Sequence, residues 1–210
     1  MSTPNRQIGW SQESNLLSYI SKQLERLTGI TFSSLSALAP TYKVYTALLT
    51  QSGGDFLDQL DETTPTQNVT KGVTYTISNA SDGDFLNVGA PNNNIGTSFV
   101  AINNSVPNSW GQSGASLLFN TGTPVVTVLE NTIGNIWWTY DSVGKYIANS
   151  TNAFTDEKTW QLIENSGAAG SVTSSILYVN SNVIWVYSFD GGIQSDDILT
   201  NTPIEIRVYQ

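Results

Sequence analysis

The stretch VIWVYSF at residues 183–189 shows the clearest alternation of the chain and indicates its fold class. Successive side chains of a strand point to opposite faces, so an alternating sequence sorts its residues onto two sides. This stretch places four large side chains on one side, namely Val183, Trp185, Tyr187 and Phe189. Near the end of the chain, the alternation is repeated by Ile204, Ile206 and Val208. Both stretches therefore predict β-strands with one apolar face.

Seven more segments are short, apolar and rich in β-branched or aromatic residues, which favours strands. They are Tyr42–Leu49, Val73–Ile77, Thr97–Ile102, Val125–Leu129, Asn135–Tyr140, Thr159–Ile163 and Val172–Val179. Turns are predicted at Asn180–Ser181 and at Gly191–Gly192. The strongest loop signal runs from Gln51 to Lys71 and marks the best candidate domain boundary. Many short strands separated by turns predict an antiparallel β-sandwich or a barrel.

The segment before these strands predicts a short α-helix over residues 11–28. Ser11 can cap its start, Glu13 suits the first turn through the helix dipole, and Gly29 ends it. Four residues between these ends have the three-four-three spacing of a coiled-coil seam: Leu17, Ile20, Leu24 and Leu27. Because a helix of two heptads is marginal alone in water, the seam must pack on its own domain, on sister subunits or on a neighbouring protein.

The composition excludes several classes of function. The chain has a formal net charge of -9 and no cluster of Lys or Arg, whereas nucleic acids and anionic membranes attract basic faces. It has no His and no Cys, which excludes Ser-His-Asp and Cys-His catalysis, ordinary zinc sites and disulfides. No window approaches the ~18 apolar residues of a membrane span, and no glycine motif for phosphate occurs. We expect no nucleic acid, no membrane and no cofactor.

Acidic side chains leave carboxylate chemistry open, because a glycosidase needs only two acids at a fixed separation. The candidates are Glu130, Asp141, Asp156, Glu157 and Glu164. Nothing pairs any two of them in sequence, so ordinary solvated carboxylates are the better interpretation. Two short acidic turns could hold calcium, but Asp and Gly are also the usual turn formers: Asp82 with Asp84, and Asp196 with Asp197. We expect no catalytic residue and no metal site.

The pair Trp137–Trp138 must place one indole on each side of a strand. One indole is therefore predicted in the core, while the other either lies under a neighbouring module or is exposed. An exposed indole could stack on a sugar ring, although burial is the better interpretation.

Several strings resemble structural proteins of tailed phages, especially phages of Bacteroidota hosts. The opening NRQIGWSQESNLLSYISKQLERLTG (residues 5–29) resembles their N-terminal leader. TYKVYTALLTQSGGD (residues 41–55) and PVVTVLENTIGNIWWTYDSVGKYI (residues 124–147) resemble consecutive strands of one small β domain in such proteins. Between them, GVTYTISNASDGDFLNVGAPNNNIGTSFVA (residues 72–101) resembles a recurrent module of virion proteins. The closing PIEIRVYQ (residues 203–210) resembles the final strand of the outer domain.

The resemblance implies a mainly β protein with a helical anchor at residues 1–40. An antiparallel β-sandwich-like outer domain would comprise residues 41–54 plus 122–210, and a second small β module, residues 55–121, would be inserted in it. It implies a non-enzymatic virion component, such as a head fibre, capsid decoration or tail-baseplate adaptor, docked on other virion proteins through its N-terminal segment. The seam and the resemblance together favour a homotrimer. The alternatives are a host-glycan receptor-binding protein and a polysaccharide-degrading tail protein.

Overall fold

A computed structural model describes residues 19–24, 26, 41–61, 68–110, 114–164 and 172–210. The chain divides into two compact units, residues 1–41 and residues 42–210. In the first unit, residues 19–24 and 26 are helical, within the predicted helix. The predicted end residues Ser11, Glu13 and Gly29 lie outside the described residues. No helix in the described part of the chain has the length and apolarity needed to cross a membrane.

The described part of the second unit is mainly β, as predicted. Its strands are β1 (Tyr42–Thr50), β2 (Leu57–Asp61), β3 (Thr74–Asn79), β4 (Ser98–Val100), β5 (Ser116–Asn120), β6 (Val125–Asn131), β7 (Ile136–Ser142), β8 (Lys145–Ser150), β9 (Thr159–Ile163), β10 (Val172–Asn180), β11 (Val183–Asp190), β12 (Ile193–Gln194) and β13 (Thr202–Tyr209). Every strand predicted from the sequence is present, with ends that differ by at most two residues.

Two antiparallel sheets face each other as a sandwich. The first sheet has the order β6-β1-β13-β9, and the second has the order β10-β11-β8-β7 with β12 added beside β11. Apolar side chains from both sheets fill one shared core, including Tyr45, Trp138, Val186 and Ile206. Tyr42 of β1 pairs with Tyr209 of β13, so the first and last strands of the sandwich lie side by side in the middle of the first sheet.

A third antiparallel sheet, with the order β2-β5-β3-β4, lies between β1 and β6 in the chain. It has its own apolar core, including Tyr75, Phe85, Phe99 and Leu117. On either side of it, Thr50 of β1 pairs with Val125 of β6, so the chain leaves and rejoins the first sheet at neighbouring positions. We call residues 55–121 the inserted module. Since residues 42–210 form one compact unit, the division of this unit into two domains stays a prediction.

Four strands lie where the sequence predicts none, namely β2, β5, β8 and β12. β2 lies inside the predicted Gln51–Lys71 loop, and that prediction is therefore wrong there. Its one buried side chain is Leu60, and the strand forms because its backbone pairs with β5. β8 buries Tyr146, Ala148 and Ser150. Because two of these residues are small or polar, the apolar alternation of β8 is not visible in the sequence.

The turns on either side of β11 are tight. The predicted turn at Gly191–Gly192 is confirmed, because φ is 57° and 82° at the two glycines, the conformation that a two-residue hairpin requires. The other turn lies at residues 181–182 and not at Asn180–Ser181, because Asn180 still pairs with Val183.

Candidate functional site

The helix of the first unit exposes apolar side chains of the predicted seam. Ile20 and Leu24, one helical turn apart, are 47% and 59% exposed. Leu17 and Leu27, the other two seam positions, lie outside the described residues. Apolar side chains on successive turns of one helix face offer a surface to another helix or protein. The seam stays a prediction, with its two described members in positions that a partner can reach.

The acidic candidates for glycosidase chemistry are all exposed: Glu130, Asp141, Asp156, Glu157 and Glu164. Asp141 forms an ion pair of 3.0 Å with Lys145. Asp156 lines an open cavity of about 630 Å³ beside the β10–β11 turn and is the one acidic residue among the described residues of that lining. The described lining therefore supplies one carboxyl group, whereas glycoside hydrolysis requires two.

Asp84 organises a loop of the inserted module. Its carboxylate accepts hydrogen bonds from the Leu86 amide at 3.1 Å and from the side-chain amides of Asn93 and Asn108, each at 3.2 Å. These bonds, that of Leu86 first, hold the pKa of the Asp84 carboxyl below its ordinary value. The described residues contain no group of three or more His, Cys, Asp or Glu that could hold a metal. We interpret Asp84 as a turn residue.

Asp196 is the centre of a polar cluster that the sequence does not predict. Its carboxylate accepts hydrogen bonds from the Tyr140 hydroxyl at 2.8 Å, the Tyr146 hydroxyl at 3.0 Å and the Gly144 amide at 2.8 Å. Gln51 Oε1 lies 2.9 Å from the same Tyr146 hydroxyl. We call Gln51, Tyr140, Tyr146 and Asp196 the tyrosine–aspartate cluster.

This cluster and Asp197 tie the segment that leads from β1 to the inserted module onto the sandwich. Gln51 is buried at the end of β1, and its Oε1 accepts a hydrogen bond of 2.6 Å from the Asp197 amide. The Asp197 carboxylate in turn accepts one of 2.8 Å from the Gly53 amide. Because protein donors occupy both carboxylate oxygens of Asp196, we interpret this pair of acids as structural and not as a calcium site.

Burial raises the pKa of the Tyr45, Tyr140 and Tyr146 hydroxyls. Desolvation, together with the Asp196 carboxylate, raises the pKa of Tyr140 to about 12 and also raises the pKa of Tyr146. Desolvation raises the pKa of Tyr45 in the sandwich core to about 12. A tyrosine whose pKa is raised by folding contributes stability in full below its unfolded pKa of about 10, and that contribution is lost as pH rises through the folded pKa.

We therefore expect folding to delay the ionisation of Tyr45, Tyr140 and Tyr146. In an absorbance titration of tyrosinate, the folded chain should gain less signal at pH ~11 than the same chain unfolded in guanidinium. The missing signal should appear only as the protein unfolds at higher pH, which circular dichroism would follow in parallel. Superimposable curves for the folded and unfolded chains would contradict the burial of these hydroxyls.

Trp138 fills the centre of the sandwich, whereas Trp137 lies half-buried on the opposite face of β7. The Trp138 indole is fully buried, and its Nε1 donates a hydrogen bond of 3.1 Å to the Tyr45 hydroxyl. Its backbone amide donates one of 3.2 Å to Thr74 Oγ1 in the inserted module. The prediction that one indole of the pair lies in the core is confirmed.

β11 directs its smaller side chains inward, since Ile184, Val186 and Ser188 are the buried ones. Its aromatic side chains form a half-buried row on the outer face of the second sheet, with successive ring centroids 6.2 Å apart: Trp185, Tyr187 and Phe189. We call these three residues the outer aromatic row. The Lys145 ammonium lies 4.0 Å from the centroid of the Trp185 ring, so a cation–π contact holds one end of the row.

A groove of about 500 Å³ separates the inserted module from the sandwich. The module contributes residues around β4, and the sandwich contributes β6 and the β6–β7 turn; the apolar part of the lining includes Pro91, Val100, Ile102, Val126, Val128 and Ile136. Among the described residues of this lining, Lys71 is the one that carries a charge. We call this groove the module groove. Its volume falls in the range of about 300–1,000 Å³ that is typical of binding sites.

Neither the module groove nor the tyrosine–aspartate cluster could be predicted from a local motif, because each joins segments that are distant in the chain.

In comparisons with known proteins, no family model, no curated protein and no solved structure matches this chain.

Proposed function

We propose that this protein is a non-enzymatic structural component of a virus particle, anchored by its N-terminal segment and projecting its β unit. The observation that carries the proposal is the exposure of the apolar seam residues Ile20 and Leu24 on the helix of the first unit. Apolar area of this kind is stabilised by burial against another chain. The resemblance of residues 5–29 to the leaders of phage structural proteins supports the same role.

A homotrimer docked on another virion protein is the assembly that fits this anchor best. A seam with Leu at the a positions and Ile at a d position favours more than two strands. The helix alone offers little contact area, so the β unit would supply the rest.

Three observations support a structural role over an enzymatic one. The sequence has no His to serve as a base at neutral pH. The acidic candidates are exposed, and the carboxylates of Asp84 and Asp196 are bonded to protein donors. Carboxylates that are hydrogen-bonded in this way stabilise loops, which is a structural role.

The anchor is tested by replacing Ile20 and Leu24 with Asp in the full chain. We expect the double variant to sediment as a monomer, whereas the wild type sediments at about three times the 22.7 kDa of one chain. The reason is that burying unpaired carboxylates in a seam costs several kcal/mol. The same variant should fail to enter particles, while circular dichroism should show an unchanged β unit.

A variant with Ser18→Asp and Lys22→Gln is the matched control, because it changes the net charge equally at positions outside the seam. This control should remain a trimer and enter particles. A monomeric wild type, or normal particle incorporation of the Ile20→Asp/Leu24→Asp variant, would end the proposal for the anchor.

The outer aromatic row favours a second candidate function, the binding of a host surface glycan. Sugar rings stack on aromatic faces, and here three rings lie in line on an open sheet. We expect Tyr187→Ala to weaken polysaccharide binding roughly tenfold, measured by intrinsic fluorescence. Tyr209→Ala, on the first sheet, is the control and should have no effect. Equal effects of the two substitutions, or no binding by the wild type, would argue against this candidate.

A further inference from the structure

The inserted module carries an apolar and acidic surface at the β2 edge of its sheet. Phe56 and Leu57 are 64% and 61% exposed, which is unusual for two large apolar neighbours. The segment DFLDQLD at residues 55–61 contains three Asp and no Lys or Arg. We call residues 55–58 the β2 edge surface.

The module groove has the complementary chemistry. Its described lining is largely apolar and contains no acidic residue, and Lys71 is the one charged side chain among the described lining residues. Ile102 and Val128 of this lining are strongly exposed, so an apolar side chain from outside could cover both of them. The groove thus offers an apolar surface that suits a side chain such as Phe56 and a cation that suits acids such as Asp55 and Asp58.

The two surfaces lie at opposite edges of one sheet. In the order β2-β5-β3-β4, the β2 edge surface is at one end, and β4, which contributes Val100 to the groove, is at the other. A contact between two different surfaces is head-to-tail, and it closes into a ring when the rotation between copies permits. A contact of one surface with itself, as in a twofold dimer, would leave the acidic segment facing a second acidic segment.

We infer that the β2 edge surface of one copy docks in the module groove of the next copy, with Phe56 in the groove and Asp58 beside Lys71. The occupant of the groove is thus a second copy of this chain. The contact gives each protomer one donor surface and one acceptor surface, as a closed trimer requires. This inference rests on the homo-oligomer of the proposed function and names its contact in the β unit.

A charge-swap series on the full chain tests the contact. Asp58→Lys and Lys71→Asp should each raise the dissociation constant of the oligomer, by roughly tenfold in sedimentation. The double variant Asp58→Lys/Lys71→Asp should restore assembly, because it exchanges the two charges across the same contact. Phe56→Ser should weaken assembly roughly ten- to a hundredfold through the lost apolar burial.

The exposed Leu129 of β6 provides the control, since Leu129→Ser removes an equally exposed apolar side chain that does not line the groove. It should assemble normally, and urea unfolding should show that all five variants are folded. If the double variant Asp58→Lys/Lys71→Asp did not recover assembly, or if Phe56→Ser assembled fully, the inference would be overturned.

The outcomes separate this inference from the proposed function. A trimer that is lost in Ile20→Asp/Leu24→Asp but unchanged in the Phe56 and charge variants would refute the β2 edge contact alone. The reverse pattern would refute the anchoring seam and support the contact. A monomeric wild type would overturn both.

Discussion

Replacing Trp138 by alanine is expected to lower the free energy of unfolding by about 3–5 kcal/mol, the largest effect of any single substitution considered for this chain. The indole is fully buried between the two sheets of the sandwich, so its removal leaves a cavity that the rigid sheets can close only in part. The substitution also removes the donor that the buried Tyr45 hydroxyl accepts from. For a protein of this size, the melting temperature should fall by roughly 6–20 °C.

Trp137→Ala is the matched control, because the same side chain is removed from the next residue of the same strand. Trp137 is only half-buried on the outer face, and we expect a loss well below that of Trp138→Ala. Urea unfolding followed by far-ultraviolet circular dichroism measures both. Equal losses would mean that the assignment of inner and outer faces along β7 is wrong.

Removing the inserted module is expected to leave a folded sandwich. Joining Gly54 directly to Gly122 deletes residues 55–121 and needs little rearrangement, because a Cβ atom on Gly122 would lie only 2.8 Å from the Gly54 carbonyl oxygen. Thr50 and Val125, which lie on either side of the deleted residues, are already paired in the first sheet. The tyrosine–aspartate cluster survives the deletion, since Gln51 and its partners lie outside it.

The shortened chain should unfold in one cooperative transition with an m-value smaller by roughly a third, because m scales with the surface exposed on unfolding. Its stability should also drop, since the Trp138 amide loses Thr74 as its acceptor. An insoluble product, or one without a cooperative transition, would mean that residues 42–210 are a single domain and that the predicted division at residues 55 and 121 is wrong.

The strands that the sequence predicts are those whose apolar alternation is strong enough to be seen locally. β13 is an example, with Ile204, Ile206 and Val208 all buried. β2 escapes prediction because its pairing with β5, and not its own side chains, makes it a strand, whereas β8 escapes because Ala148 and Ser150 on its buried face hide the alternation. In β11 the alternation is visible, but the large side chains face outward, because the fully buried Trp138 and Tyr146 already fill the core that β11 covers.

The tyrosine–aspartate cluster could not be predicted, because it joins Gln51, the β7–β8 hairpin with Tyr140 and Tyr146, and Asp196 from three separate parts of the chain. The acidic pair Asp196–Asp197 stands out in the sequence, yet the sequence does not show that tyrosine hydroxyls and backbone amides surround it. The module groove could not be predicted from the sequence for the same reason, because segments that are distant in the chain line it. The inserted module lies beside β6 and β7 through two long-range hydrogen bonds, from the Val126 amide to the Gly72 carbonyl and from the Trp138 amide to Thr74 Oγ1.

The position of β1 has a mechanical consequence. The N-terminal segment joins the β unit at Tyr42, and β1 is hydrogen-bonded to β13 on one side and to β6 on the other. A force applied at Tyr42 along the axis of β1 is perpendicular to the hydrogen bonds of its two antiparallel neighbours. Both ladders are then loaded in shear and must break together, whereas a strand peeled from a sheet edge loses its bonds one at a time. In the proposed anchoring role, this arrangement would let the β unit resist drag.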